Sequence, residues 1–196
     1  ECPPEPCHDA SAQVLMLAHV GNDVVYLADP DIAEHHERDR FVDRVCSAAE
    51  ADRVRRSDRP GPMLWSMFAA KEAAYKAVIK EFPGIAFAPR LFSVSADLTA
   101  VCYRDLELAL QIERGGEKGE IQWVHAVASG PGATPIGGVG LRTDDVHESD
   151  AVRAFACRSI AGELRVAGAR LAIERPLSKA ARDGLGPPRL LLDGRP

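Results

Sequence analysis

Trp65-Ser66-Met67-Phe68-Ala69-Ala70-Lys71-Glu72-Ala73-Ala74-Tyr75-Lys76-Ala77-Val78 is the stretch on which the fold turns. It holds no Gly or Pro, is rich in alanine, and is apolar nearly all round its first two turns. That pattern specifies a helix buried on most sides, not one lying on a surface. Trp65, Phe68, Ala69, Glu72 and Lys76 stand at i, i+3, i+4, i+7 and i+11, on one stripe of that helix. Two charges therefore continue a row begun by aromatic side chains, where a charge is costly unless paired or bound to a ligand. From the helix alone two readings stay open. Glu72 and Lys76 are an i, i+4 ion pair at the wet end of the stripe, or they are functional groups that work with a third.

Working outward, the helix runs from about Met63 to Glu81, between a Ser57–Pro62 breaker and Pro83-Gly84. Asp39 to Arg56 predicts an earlier helix, with Phe41, Val45, Ala48, Ala49 and Val54 near helical spacing. Val14–Leu17 and Val20–Leu27 are apolar and β-branched and predict strand. After Leu91 the period changes. Leu106, Leu108, Leu110 and Ile112 alternate with polar residues, Gly115 to Gly119 is a turn, and Ile121–Ala128 is a second strand, so a hairpin is expected. Ser129–Gly140 is a Gly/Pro-rich junction. A helix capped by Ser149 follows, with Val152, Phe155, Ala156, Ile160 and Leu164 on one face. Leu171–Ile173 and Arg189–Leu192 predict short strands. The expectation is an α+β chain: a disordered leader over 1–12, a first half over 13–130 and a second half over 131–196.

Composition narrows the function classes. With 196 residues, 46% hydrophobic and a net charge of −5, the chain is globular in character and is not a general nucleic-acid binder. No stretch approaches the roughly 20 apolar residues that span a bilayer, so no membrane role is expected. Five widely spaced cysteines argue for a reducing compartment, hence the cytoplasm. Cys2, Cys7 and His8 lack further ligands at metal spacing, and the adjacent His35 and His36 point different ways on a helix.

The third group for Glu72 and Lys76 is Asp23. Gly21-Asn22-Asp23-Val24-Val25 sets a carboxylate among β-branched residues, in what reads as an interior strand. The alternative is a turn Asp capping a backbone amide. Asp23 on a strand and Glu72 on a neighbouring helix suit one hard cation. Mg²⁺ takes few protein carboxylates and fills its other positions with water and phosphate oxygens. Lys76, one turn beyond Glu72, then reaches a phosphate of the same ligand.

These residues carry a resemblance. Gly21-Asn22-Asp23, then Arg40–Val45 with Glu50, then Trp65 to Lys76 resemble the successive motifs of the 4′-phosphopantetheinyl transferase superfamily. The G-x-D and W-x(5)-K-E-x(3)-K segments stand in the family's order and separation, within about residues 20 to 80. Ala151–Ile173 and Gly186–Pro196 more faintly resemble the helix, strand and G-x-P segment of the two-lobed members, in which that half comes first. The resemblance implies two pseudo-related halves, each a small antiparallel sheet with packed helices. Val25 stands where those members often carry another acid, so the site resembles the two-carboxylate site of the small holo-acyl-carrier-protein synthases. A Ser-His motif is expected after the G-x-P segment, and the sequence given ends at Pro196, before one. His125 is a poor substitute and reads as a packed strand histidine.

The resemblance further implies a transferase that moves phosphopantetheine from coenzyme A to a serine of an acidic acyl or peptidyl carrier protein. Asp23 and Glu72 would hold Mg²⁺, Lys76 and Lys71 would meet coenzyme A phosphates, and Glu72 or a water beside it would take the serine proton. The basic face at Arg38, Arg40 and Arg44 is the expected carrier dock, unless those charges merely pair with Glu37 and Asp43. Two other readings remain: a non-catalytic relative that binds coenzyme A or a carrier, and a scaffold whose Glu72 and Lys76 only pair with each other.

Overall fold

The protein is described by a computed structural model over residues 19–32, 38–117, 119–135, 147–177 and 189–195. The proposed leader, Val14–Leu17, His35-His36 and the Gly186–Pro188 part of the G-x-P segment lie outside the described residues. Two compact units divide the chain, one ending at Pro135 and the other holding the elements from Glu148 onward.

The first unit opens with strand β1 (Val20–Tyr26), followed by helices α1 (Asp39–Val45), α2 (Ala48–Arg56) and α3 (Pro60–Glu81). Strands β2 (Phe92–Val94), β3 (Ala100–Tyr103), β4 (Leu106–Gly115) and β5 (Trp123–Ser129) complete it. All five strands form one antiparallel sheet in the order β1-β5-β4-β3-β2. The expected hairpin is β4–β5, with Leu110 opposite Ala128. Asp23 does not sit on the interior strand that its β-branched neighbours suggest. Among the described residues β1 pairs only with β5, Asp23 opposite Ala126, so Asp23 lies on an edge strand and not an interior one.

Helix α3 starts at Pro60, inside the stretch read as a breaker. Proline is tolerated there because the first helical N–H has no partner to lose. The apolar girth of α3 has a direct cause: it is sandwiched. Trp65, Ala69, Ala70, Ala73, Ala74, Ala77 and Val78 pack toward a core with Val25, Val101, Leu108, Val124, Ala126 and Ala128 of the sheet. Leu64 and Met67 face the other way, against Val42, Val45, Ala51 and Val54 of α1 and α2. The fully buried alanines on the sheet side keep α3 close to the strands.

The helix read over 39–56 is two helices. The chain breaks at Cys46-Ser47, where Ser47 and Glu50 form a complete capping box. Ser47 Oγ accepts from the Glu50 N–H, and the Ser47 N–H donates to Glu50 Oε2 at 2.7 Å. That satisfies two otherwise orphaned donors and restarts the chain in a new direction.

The described residues of the second unit include the helix α4 (Glu148–Leu164) and an antiparallel pair, β6 (Leu171–Glu174) with β7 (Arg189–Leu192). The cap of α4 is His147, whose Nδ1 accepts from the Ser149 N–H, and not Ser149 itself. On the predicted apolar face of α4, Val152 and Leu164 are exposed. No repeat of the five-stranded sheet appears among the described residues of this unit.

Candidate functional site

β1 passes close against the backbone of α3 at Gly21. A Cβ added there would lie 2.0 Å from the Ala73 carbonyl oxygen and 2.6 Å from the Ala77 nitrogen, so only glycine fits against the helix backbone. Two residues on, with the strand period of two, Asp23 points to the same side. It arrives beside the turn of α3 that carries Glu72 and Lys76. The Lys76 ammonium donates to Asp23 Oδ1 at 2.8 Å and lies 3.3 Å from Glu72 Oε1. The sequence's trio is thus brought together, with both carboxylates converging on one cationic atom.

The electrostatics follow from that geometry. Burial pushes the Asp23 carboxyl above its usual range; the Lys76 hydrogen bond pulls it back only in part, and the Glu72 charge pushes it up again. Burial also works against the Lys76 charge, but the Asp23 hydrogen bond and the two carboxylates outweigh it, so Lys76 sits above its ordinary value. Two carboxylates facing one ammonium leave negative charge in surplus. Among the described residues no three His, Cys, Asp or Glu side chains gather as a metal cage. The two hard oxygen donors fit a Mg²⁺ ion, which needs few protein ligands when phosphate and water supply the rest.

Lys71 does not join this cluster, contrary to its expected contact with a coenzyme A phosphate. One residue before Glu72 it points about 100° away round the helix, into the seam with α1 and α2. Its fully buried ammonium donates to Glu50 Oε2 at 2.7 Å and to the Val45 carbonyl at 2.8 Å. Glu50 Oε1 in turn accepts from the Val94 N–H at 2.8 Å. Burial alone would raise Glu50, but these hydrogen bonds and the Lys71 charge hold it below its ordinary value. Sequence reading missed this role, although Ser47 and Glu50 at cap spacing were a usable signal.

Arg40 and Arg44 are exposed on α1. Asp39 and Asp43, the described acids beside them, are both held by Arg55, at 3.0 and 3.2 Å. Arg44 lies over the Phe41 ring, 5.7 Å from its centre. His125 is a buried strand histidine, as expected, opposite Val24 and Glu113, and burial lowers its pKa.

A comparison with protein families agrees with the motifs. The family model for the 4′-phosphopantetheinyl transferase superfamily matches residues 19–133, more than half of the chain. The search of curated proteins found no match to this chain. Among solved structures, holo-acyl-carrier-protein synthase from Neisseria meningitidis is similar at 21% identity and TM-score 0.43, covering 59% of this chain and 98% of that one. The Helicobacter pylori synthase in complex with coenzyme A is similar at 16% identity and TM-score 0.40, covering 57% and 98%. The Thermotoga maritima synthase is similar at 15% identity and TM-score 0.41, covering 89% and 82%.

Proposed function

The chain belongs to the 4′-phosphopantetheinyl transferase superfamily, and from that premise we propose that it transfers 4′-phosphopantetheine from coenzyme A to a serine of an apo carrier protein. The observation that carries this reading is the convergence of Asp23 and Glu72 on the Lys76 ammonium, at 2.8 and 3.3 Å. Two hard carboxylates beside one ammonium suit a pyrophosphate that brings its own Mg²⁺.

Asp23 and Glu72 would hold Mg²⁺, which when bound neutralises charge on the pyrophosphate oxygens as the leaving group departs. Lys76 stabilises negative charge on the phosphate being transferred. The carrier serine oxygen attacks the phosphorus that bears the pantetheine arm, and the P–O bond to 3′,5′-ADP breaks. The serine proton passes to Glu72, which has one carboxylate oxygen beyond the one facing Lys76. Lys71 serves by position: locked to Glu50, it fixes the rotation of α3 and so the direction of Glu72. The motif-bearing half, 13–130, houses this chemistry, and 131–196 is the second half. The three described cysteines, Cys46, Cys102 and Cys157, are free thiols, and no described helix is long and apolar enough to cross a membrane. The free thiols suit work in the cytoplasm.

Intact-mass analysis tests this directly. An apo carrier incubated with coenzyme A, Mg²⁺ and the protein should gain one phosphopantetheine. Glu72→Gln should slow the gain by about a hundredfold or more. Undiminished transfer by that variant would remove Glu72 from the chemistry. Tight coenzyme A binding with no mass gain on any carrier would favour the non-catalytic relative.

A further inference from the structure

Lys76 occupies a position that a metal-binding scheme must account for. Its ammonium sits between the two carboxylates, hydrogen-bonded to Asp23 Oδ1 and within 3.3 Å of Glu72 Oε1. A Mg²⁺ ion needs these oxygens at about 2.0–2.1 Å. A monovalent and a divalent cation cannot share that point, and close neighbours there would repel strongly across a half-buried site. One of the three side chains has to yield. Asp23 is the most enclosed, at 12% side-chain exposure, and is anchored on a strand tied to α3 at Gly21. Glu72 is 29% exposed, whereas Lys76 is 42% exposed and has the longest stem. Lys76 is the one that can swing.

We infer that Lys76 is a placeholder cation which releases Asp23 and Glu72 to the metal by turning onto a phosphate of the ligand, so that metal and phosphate ligand bind cooperatively. The inference rests on the metal reading above and extends it from a residue's role to the order of events. Without a phosphate to receive it, Lys76 competes with Mg²⁺ for the carboxylates and holds metal affinity down. With a phosphate present, the ammonium has a second partner outside the cluster, and both ligands gain. By linkage, whatever factor the phosphate ligand adds to Mg²⁺ affinity, Mg²⁺ returns to the phosphate ligand. The pair Asp23 and Lys76 thus keeps a charged site satisfied at rest and opens it only for the complete substrate.

The test reads the lysine itself. In the full chain the Lys76 Nζ resonance is assigned by its absence from Lys76→Gln, and Mg²⁺ is titrated in alone. Release from Asp23 should move that resonance and speed its hydrogen exchange as the metal saturates. Calorimetry should show Lys76→Gln binding Mg²⁺ about tenfold more tightly than the native chain, a factor within the usual range of site coupling. Addition of 3′,5′-ADP should raise Mg²⁺ affinity in the native chain and much less in the variant. Saturation by Mg²⁺ with the Lys76 resonance unmoved, or weaker Mg²⁺ binding by Lys76→Gln, would overturn the inference while leaving the two-carboxylate metal site intact. Absence of any Mg²⁺ binding, in Lys76→Gln as well as in the native chain and with 3′,5′-ADP present, would instead defeat the metal reading, and this inference with it.

Discussion

At Gly21 a single hydrogen in place of a methyl decides whether the acid cluster can assemble. The atoms a Cβ would meet are backbone, the Ala73 oxygen and the Ala77 nitrogen, and a helix backbone does not move aside as a side-chain tip would. Gly21→Ala should therefore lift β1 from α3, costing about 1–3 kcal/mol in urea unfolding by the usual scale of overpacking. The same change should separate Asp23 from Lys76 and reduce transfer by more than the stability loss explains. Undisturbed stability and transfer in that variant would refute the close approach. At this scale the sequence was legible where spacing alone speaks. Glu72 and Lys76 follow from the helix period, Asp23 stands out as a carboxylate in a β-branched run, and the structure brings the three together. Lys71 was not legible, because its meaning depends on what lies across the helix. That neighbour, Glu50, is turned inward by a break that periodicity does not register.

The break between α1 and α2 shows how one element carries two duties. Glu50 is the third residue of its helix, where it caps Ser47, and it is also the buried partner of Lys71. The pair is well satisfied, with donors from Ser47, Lys71 and Val94, so its stability is conditional on ionisation. Because the folded state holds Glu50 below its ordinary value of 4.5, this contribution is fully present above that pH. It is lost as the pH falls below 4.5, through the lowered folded value. Chemical denaturation followed across that range should show the native chain weakening on acidification, with a smaller acid dependence in Glu50→Gln. At neutral pH that variant should be less stable by about 3–5 kcal/mol, since Lys71 is left charged and buried without its partner. Ser47→Ala removes only the cap and should cost about 1 kcal/mol. Equal losses from the two variants would mean that the ion pair adds nothing beyond the cap. The long helix and the β4–β5 hairpin were legible because each keeps one period for many residues. The three residues of β2 and four of β3 are too short to establish a period and went unread.

Charge is a property of the molecule as a whole, and here the total and the local pattern oppose each other. A net charge of −5 repels an acidic carrier at long range. Productive encounter would therefore depend on a local positive face. Arg55 holds both Asp39 and Asp43 and cancels one of their two charges, which leaves the exposed Arg40 and Arg44 in net positive excess on α1. Reversing both arginines to glutamate should raise the carrier KM about tenfold at low ionic strength, the lower end of steering effects. The coenzyme A KM should stay as it was, since neither arginine touches the Asp23–Glu72–Lys76 cluster. The effect should shrink as salt shortens the screening length from about 10 Å at 0.1 M to about 3 Å at 1 M. Steady-state kinetics with carrier varied at fixed coenzyme A, repeated at both salt concentrations, measures all three. A carrier KM that ignores the reversal, or one that changes equally at both salts, would place the dock on another face and leave α1 a solvated helix.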